Sequence, residues 1–461
     1  MKAMKRSICS SFLAGALWLP LLPLPALSQS REQTAEVMAP GTSAVVSTYA
    51  RLIDPLQGQT ADELVRYALE HNGELLAARK MIDEAKGRLR QAALKANPML
   101  EASNKQAVTT PDNNQMIGLE WPLELGGRRR ARRLVGQREV ELREAEARDF
   151  ARKLAAEVRM KYAEAIAAAR NLKFADELLQ QTRDSYQLVQ ARVEHGKSAP
   201  LESNAVLVEL NRTDVLRLGL ESKAEVALLE LKKIIGLPPD EELQLRGEFI
   251  VEGKLPPTTE LLQRALATRP DLAVLRAAES LAEAQAEQAR REGRVDASLF
   301  AGYERMSNGY DVLGFNQAGQ PTPVTGVFHY ATFGMRFTLP VRNKHQGLIE
   351  AALAAAAAAR HRREFAELVV RNEIASATTR LAKAQAALAV YRDKVREPAR
   401  RNLDIVRRAY AVGYKTAIDY LTEQRRFTEL ETGYTEALKE YFEALVEIER
   451  ATGVTVREEE Q

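Results

Sequence analysis

Few residues of this 461-residue chain have the type and spacing that catalysis or metal binding would require. The segment Gly126-Gly127-Arg128 lacks the first glycine and the Lys-Ser/Thr pair of a phosphate-binding loop. Neither a Ser/His/Asp set nor a cysteine nucleophile is available. The histidines are scattered, with no HExxH motif and no pair four residues apart: His71, His195, His329, His345 and His361. We therefore predict no enzyme activity, no metal site and no cofactor.

Charge offers little more by itself, because the formal net charge of +3 is small and the charges are evenly interspersed. This balance argues against a nucleic-acid partner. Two charged residues, Glu120 and Arg336, are more informative. They lie in two stretches, 117–123 and 331–339, in which apolar residues occupy every second position. That period is typical of a strand with one apolar face. The apolar side includes Trp121, Phe333 and Phe337. The opposite side includes Glu120 and Arg336.

Each of these strands leads into a long helix. After Gly126-Gly127, about seventy residues follow without a proline, and their apolar positions keep a seven-residue repeat. A helix over 127–195 would reach roughly 100 Å and would pack as a left-handed coiled coil. Gly196 is predicted to end it, and Ser198 with Pro200 to begin a second helix that runs to Ile235.

The second half of the chain repeats this order of elements. In the first half we predict a helix over 60–96, with a Thr60/Glu63 capping box, and a strand over 98–106. For the second half we predict a helix over 261–292, a strand over 297–306, a polar loop over 307–326, a helix over 342–412 mildly interrupted at Pro398, a turn at Gly413 and a helix over 416–451.

The predicted organisation has two repeats, each giving a helix, two strands, a long helix, a tip and a helix. The limits are a signal peptide over 1–28, an extended lead-in over 29–59, a first repeat over 60–236, a connector over 237–257, a second repeat over 258–452 and a tail over 453–461. The signal peptide rests on a basic start, an apolar stretch and the cleavage site Ala26-Leu27-Ser28. An uncleaved anchor is the alternative.

The strand lengths point to a membrane. Each predicted strand has about nine to thirteen residues, enough to cross a bilayer when tilted, whereas no later run of about eighteen apolar residues predicts a transmembrane helix. Four strands cannot close a barrel, and lipid does not tolerate open sheet edges. We therefore predict a mostly α-helical trimer with a shared 12-stranded membrane β-barrel, four strands from each chain, continued by an α-helical periplasmic tunnel. Trp121, Phe333 and Phe337 would face lipid, and Glu120 and Arg336 would face the lumen.

Three motifs, in order and correctly spaced, give the chain a resemblance to the TolC family of outer-membrane efflux factors. They are Glu120-Trp121-Pro122-Leu123-Glu124-Leu125-Gly126-Gly127-Arg128-Arg129, Leu339-Pro340 with Asn343 to Gly347, and Val412-Gly413-Tyr414-Lys415-Thr416. The resemblance covers nearly all of the mature sequence. The Pro-Leu-Glu-Leu-Gly-Gly form is most similar to members that serve cobalt–zinc–cadmium exporters.

The resemblance implies a homotrimeric channel in the bacterial outer membrane, with a large periplasmic portion. Such a channel passively exports what a periplasmic adaptor and an inner-membrane pump, here of the RND type, deliver to it. Heavy-metal cations and drugs both stay open as cargo. The alternative is a periplasmic coiled-coil adaptor or structural rod without a pore, for which the alternating strands would have no use.

Two helix–turn–helix tips, 194–202 and 411–419, lie about a hundred ångströms from the strands along the predicted helices. In the family that this chain resembles, such tips meet the adaptor. The residues expected to contact the adaptor are Gly196, Lys197, Ser198, Pro200, Gly413, Tyr414 and Thr416.

A gate is expected at the second tip. In a trimer, one inward carboxylate becomes a ring, and Asp419 matches the first of two gate aspartates in the resembling family. The second position is Thr422, followed by Glu423, so this chain has either one ring or a shifted second ring. The family's lock residues fall on Tyr410 and Lys415, with Glu202 as the nearest acidic partner. Alternatively, Asp419 only caps its helix, because Thr416 and Asp419 have capping-box spacing.

A basic run, Arg128, Arg129, Arg130, Arg132 and Arg133, occurs where strand becomes helix. Three interpretations stay open for it: a solvated face at the membrane boundary, attraction to anionic head groups, or a ring of charge in the lumen.

Overall fold

The computed structural model describes residues 48–453, apart from residues 111, 248 and 250–255. The predicted signal peptide, most of the lead-in and nearly all of the tail therefore lie outside the described residues. The first half consists of α1 (Thr48–Leu52), α2 (Ala61–His71), α3 (Gly73–Ala93), β1 (Met99–Gln106), β2 (Asn113–Pro122), α4 (Arg128–Glu194) and α5 (Pro200–Ile235). The second half consists of α6 (Thr258–Thr268), α7 (Pro270–Glu292), β3 (Asp296–Phe315), β4 (Pro321–Thr338), α8 (Gln346–Val390), α9 (Arg396–Ala411) and α10 (Ala417–Thr452).

The predicted long helix and its ends are confirmed. α4 has 67 residues, which corresponds to roughly 100 Å of helix. Gly196 follows it with φ of +68°, a left-handed conformation that glycine adopts without a steric penalty. The predicted capping box is also present: the Thr60 hydroxyl accepts from the Glu63 N–H at 3.3 Å, and the Glu63 carboxylate accepts from the Thr60 N–H at 2.8 Å.

The continuous helices predicted over 60–96 and 261–292 are wrong, because each is broken at the same place in its repeat. Asn72 is extended between α2 and α3, and its side-chain oxygen caps α3 by accepting from the Leu75 N–H at 3.0 Å. In the second half Arg269 is extended, and Pro270 occupies the first position of α7. Proline is tolerated there because that N–H has no partner within the helix.

The interruption predicted in the last long helix is confirmed, but it lies before Pro398. A π turn, Tyr391–Val395, joins α8 to α9. Proline has no N–H to offer the carbonyl four residues earlier and its ring crowds that carbonyl, so a wider turn relieves both problems. A side-chain carbon added to Gly433 of α10 would lie 2.8 Å from the Tyr391 hydroxyl. A glycine in α10 therefore makes room for the side chain of the π turn.

The strands form one antiparallel sheet in the order β1-β2-β3-β4. Asn113, the first residue of β2, lies opposite Ser307, so β3 and β4 continue past the end of the first hairpin. The polar loop predicted over 307–326 is therefore wrong, and residues 316–320 make the turn instead. A two-stranded ribbon pairs its backbone groups whatever its side chains are, and Tyr310 opposite Val324 adds an apolar cross-strand contact.

Each half has its own apolar core, and α4 and α10 pack against each other between the two. The first core contains Leu172 and Leu231, and the second contains Ile374 and Ile448. In the described part of the chain, no helix combines the length and the apolar character needed to cross a membrane.

Candidate functional site

The strand register separates two faces of the sheet as the sequence predicts. Trp121 of β2 lies opposite Leu299, and Phe333 and Phe337 of β4 lie opposite Ala301 and Ala297. Because all of these positions have the same parity, they share one face. The side chains are open to the surroundings: Trp121 is 50% exposed, Phe333 79% and Phe337 53%. An apolar face this exposed requires an apolar environment or a partner.

The opposite face brings the two predicted lumenal residues together. Arg336 forms an ion pair with Glu120, although the two lie on different repeats. The Ser298 hydroxyl donates to the same carboxylate at 2.6 Å, and the Arg336 guanidinium lies 5.8 Å from the centre of the Phe300 ring. The two charges therefore offset each other inside one chain. Their lumenal orientation stays a prediction.

The first tip, between α4 and α5, is a tight turn. The Lys197 N–H donates to the Arg192 carbonyl at 2.8 Å, which closes the turn around Gly196. The Ser198 hydroxyl donates to the Glu202 carboxylate at 2.9 Å, and Pro200 occupies the first turn of α5. A side-chain carbon added at Gly196 would meet nothing within 4 Å, so this turn faces open space.

The second tip, between α9 and α10, has the same construction. Gly413 has φ of +86° and likewise has no neighbour near its missing side chain. The Tyr414 N–H donates to the Ala409 carbonyl at 2.8 Å, and the Tyr414 side chain is 88% exposed. An aromatic side chain this exposed at the end of a helical hairpin is available to a partner.

A small shared core fixes the two tips against each other. Tyr410 of α9 stacks on Tyr420 of α10, with ring centres 5.7 Å apart, and only 5% of Tyr410 is exposed. Arg192, near the end of α4, lies over the Tyr410 ring at 5.5 Å and donates to the Ala411 carbonyl at 2.5 Å. Sequence reasoning missed Arg192, because its partners lie more than two hundred residues away in the chain.

The predicted lock residues have separate partners in this structure. Burial raises the pKa of the Tyr410 hydroxyl, and the charge of Glu202 raises it further against the opposing effect of Arg192. Lys415 instead approaches the Asp419 carboxylate, at 3.9 Å. The charge of Glu202 therefore acts on Tyr410, whereas Lys415 lies beside Asp419 at the start of α10.

Asp419 has the capping geometry. Its Oδ2 accepts from the Thr416 N–H at 3.1 Å and from the Thr416 hydroxyl at 3.0 Å, while the Thr416 hydroxyl accepts from the Asp419 N–H at 3.2 Å. These hydrogen bonds, first that of the backbone N–H, lower the pKa of Asp419. Glu423, one turn further along, pairs with Arg426 at 3.4 Å. A gate role for Asp419 and Glu423 stays a prediction.

A charge network centred on the buried Arg269, which sequence reasoning also missed, joins the two repeats. Arg269 is 4% exposed and pairs with Asp271 at 2.5 Å and with Glu373 at 2.8 Å, and it donates to the Ala451 carbonyl at 3.0 Å. Arg152 of α4 lies 3.8 Å from the same Asp271 carboxylate. The sequence signal was the extended Arg269-Pro270 break, but its carboxylate partner in α8 is distant in the chain.

The described residues contain no group of three or more His, Cys, Asp or Glu side chains that could hold a metal ion.

Three features define the class of protein: an exposed apolar sheet face, two unpaired strand edges in one chain, and long paired helices. A protein of this class closes a β-barrel with further copies of itself and extends the barrel as a helical tube. The chain belongs to the outer membrane efflux protein family, whose model matches residues 64–237 and 261–454.

Individual relatives agree with this assignment. The chain is 24% identical to the cobalt-zinc-cadmium resistance protein CzcC of Cupriavidus metallidurans over 417 residues, which cover 90% of this chain and 94% of that protein. The fold is similar to a crystal structure of CusC (TM-score 0.68, 17% identity, 85% of this chain and 91% of that one). It is also similar to the open state of the Neisseria gonorrhoeae MtrE outer membrane channel (TM-score 0.67, 20% identity, 95% and 99%).

Family membership gives the role. The chain is an outer-membrane efflux channel with a periplasmic portion, and the family and its structural relatives are channels and not enzymes. Channels of this family are trimers that act with a periplasmic adaptor and an inner-membrane pump. The alternative of a periplasmic rod without a pore is therefore set aside.

Proposed function

We propose that this channel exports heavy-metal cations, delivered by a periplasmic adaptor and an inner-membrane pump of the RND type. The support is the match over 90% of the chain to a protein named for cobalt, zinc and cadmium resistance. The Pro-Leu-Glu-Leu-Gly-Gly motif at 122–127 points the same way. The channel itself supplies no metal-binding cluster in its described part, so selection of the metal belongs to the pump.

The sheet is the observation that carries the channel function. Within one chain β1 and β4 each have one unpaired edge, and the backbone groups on such edges cannot remain unsatisfied in lipid. Pairing β4 of one chain with β1 of the next satisfies both edges, and three chains close a barrel of twelve strands, four from each. The apolar face then meets lipid, and the face with Glu120 and Arg336 lines the pore.

The tips are the proposed docking site for the adaptor. Both turns are open around a glycine, and they are held together by the Tyr410–Tyr420 stack, so they form one preorganised surface. The Tyr414 and Lys197 side chains are exposed on this surface.

Asp419 is the proposed gate residue as well as a helix cap. Both hydrogen bonds from Thr416 reach the same oxygen, Oδ2, which leaves Oδ1 for an ion near the trimer axis. Lys415 and Tyr410 would form the lock around it, with Glu202 close to Tyr410. Glu423 is the candidate for a second ring, once its pairing with Arg426 opens.

The cargo is tested in a strain that lacks this gene. We expect the deletion to lower the tolerated concentrations of zinc, cobalt and cadmium ions, and the full-length gene to restore them. Tolerance of an uncharged drug serves as the comparison. Unchanged metal tolerance together with increased drug sensitivity would contradict the metal cargo and leave the channel assignment in place.

A further inference from the structure

A basic cavity lies where the strands pass into the long helices. Its volume is about 830 Å³, and the first turns of α4 and the segment leading into α8 form its walls. Four arginines and one histidine line it: Arg128, Arg132, Arg294, Arg342 and His345. Glu292 is the acidic member of the lining.

Two of these four arginines, Arg128 and Arg132, already form ion pairs with carboxylates of the chain. Arg128 pairs with Asp296 at 2.8 Å and donates to the Glu292 and Arg294 carbonyls. Arg132 pairs with Glu124 at 2.6 Å. In the described part of the chain, the guanidinium groups of Arg294 and Arg342 are paired with no carboxylate, and both residues are exposed at the cavity. The charge of Glu287 also acts on Arg294, but that carboxylate is already paired with Arg290 and Arg291. The lining of the cavity therefore has four guanidinium groups and one carboxylate, that of Glu292.

Two further features set this cavity apart. Glu124 and His345 are the only described non-glycine residues with positive φ, +51° and +61°, and each lies in a connection between a strand and a long helix. His345 lines the cavity, and Glu124 pairs with Arg132 of its lining. Backbone strain of this kind costs free energy and often accompanies a functional site. In addition, Arg128 Nε and His345 Nδ1 are buried and have no hydrogen-bond partner in the described structure.

The rim of the cavity is apolar on one side. Leu339 is 63% exposed and Val341 75% exposed, and both line the cavity. Leu339 directly follows the last residue of β4 and continues the sequence alternation of Phe333 and Phe337. One site therefore joins unpaired guanidinium groups to exposed apolar side chains at the end of the strands.

We propose that this cavity binds the phosphate of an anionic glycerophospholipid in the periplasmic leaflet of the outer membrane. Arg294 and Arg342 would hold the phosphate, and Leu339 and Val341 would contact the acyl chains. Guanidinium groups suit phosphate because they donate two parallel hydrogen bonds. The proposal rests on the proposed barrel, since only that barrel brings the rim to the membrane boundary.

The test compares two matched double variants of the purified trimer. In R294Q/R342Q the cavity loses both unpaired guanidinium groups. In R130Q/R133Q the same charge is lost from exposed neighbours on α4 that do not line the cavity. Native mass spectrometry in detergent would measure retention of phosphatidylglycerol and of phosphatidylcholine, with inorganic phosphate as a competitor.

We expect the wild-type trimer to retain phosphatidylglycerol over phosphatidylcholine, the cavity variant to lower that preference at least about tenfold, and the control variant to keep it. Equal losses in both variants, or no preference in the wild type, would overturn the proposal. The proposal would also be overturned if inorganic phosphate displaced phosphatidylglycerol as if the acyl chains added nothing to retention. The site would then bind a free anion. If lipid retention fails but the wild-type trimer still conducts in planar bilayers, the lipid site is wrong and the channel function stands.

Discussion

At Asp419 two roles meet in one carboxylate. The Thr416 N–H and hydroxyl both donate to Oδ2, and they hold the pKa of Asp419 below its ordinary range. A lowered carboxylate pKa keeps the side chain ionised at neutral pH, which is what a ring that attracts cations requires. The capping box could be predicted from the sequence, because its spacing is local.

Asp419→Asn separates the cap from the gate. An amide oxygen can still accept from Thr416, so we expect only a small fall in thermal stability. We expect a clear loss of cation selectivity and of block by trivalent metal ions, because the ring loses its charge. Single-channel recording in planar bilayers is the measurement. A variant with lower stability but unchanged selectivity would show that Asp419 is only a cap.

The Arg269 network predicts a pH dependence of stability. Burial acts to raise the pKa of Asp271, but the hydrogen bonds and charge of Arg269 outweigh it, and the net pKa is lowered. A lowered carboxylate pKa contributes stability at pH values above the ordinary pKa. That contribution is lost as the pH falls through the lowered value, which places the window below about pH 4.

Arg269→Met removes this contribution. It leaves the Asp271 and Glu373 carboxylates without their main partner, so we expect a loss of about 3 kcal/mol in the free energy of unfolding at neutral pH. The variant should also lose less stability than the wild type on acidification. Urea unfolding across pH measures both. Arg264→Met, which breaks an exposed pair with Glu260, is the control and should change little. Parallel pH profiles for Arg269→Met and the wild type would contradict the role of this network.

At the scale of elements, the outcome of sequence prediction follows the range of the interactions. Long helices with a seven-residue repeat, their glycine ends and the two strand faces could be predicted, since each depends on neighbouring residues. The break at Asn72 could not, because its side chain also donates to the Ile234 carbonyl, 162 residues away. The extension of β3 and β4 was missed for the same reason. The polar residues over 307–326 predict a loop as long as their cross-strand partners are unknown.

The two tips act as one element, and their surface predicts how the adaptor binds. Trp at Lys197 or at Tyr414 fills the open space beside a tip glycine, so Lys197→Trp and Tyr414→Trp should weaken adaptor binding at least about tenfold. Co-purification of the adaptor with the channel measures this, and the yield of heat-resistant trimer should not change. Leu56→Trp is the matched control, because Leu56 is 87% exposed and far along the chain from both tips. Adaptor recovery equal to wild type in both tip variants would argue against docking at the tips.

At the scale of the whole molecule, one chain is incomplete. Its sheet has two open edges and an exposed apolar face, whereas its helices already pack around one apolar core in each half and a smaller one at the tips. The repeat explains this division, because each half supplies two strands and its own helical core. Closure of the barrel, and with it the pore, therefore depends on association with further copies.

Conductance of the purified trimer in planar lipid bilayers tests this account most directly. We expect discrete, stable current steps with cation selectivity, from protein whose strands are protected from protease in outer-membrane fractions. Heat-resistant trimers that insert into the bilayer but carry no current, in the wild type and also in Asp419→Asn, would contradict it. A soluble periplasmic pool of folded monomer would contradict it equally.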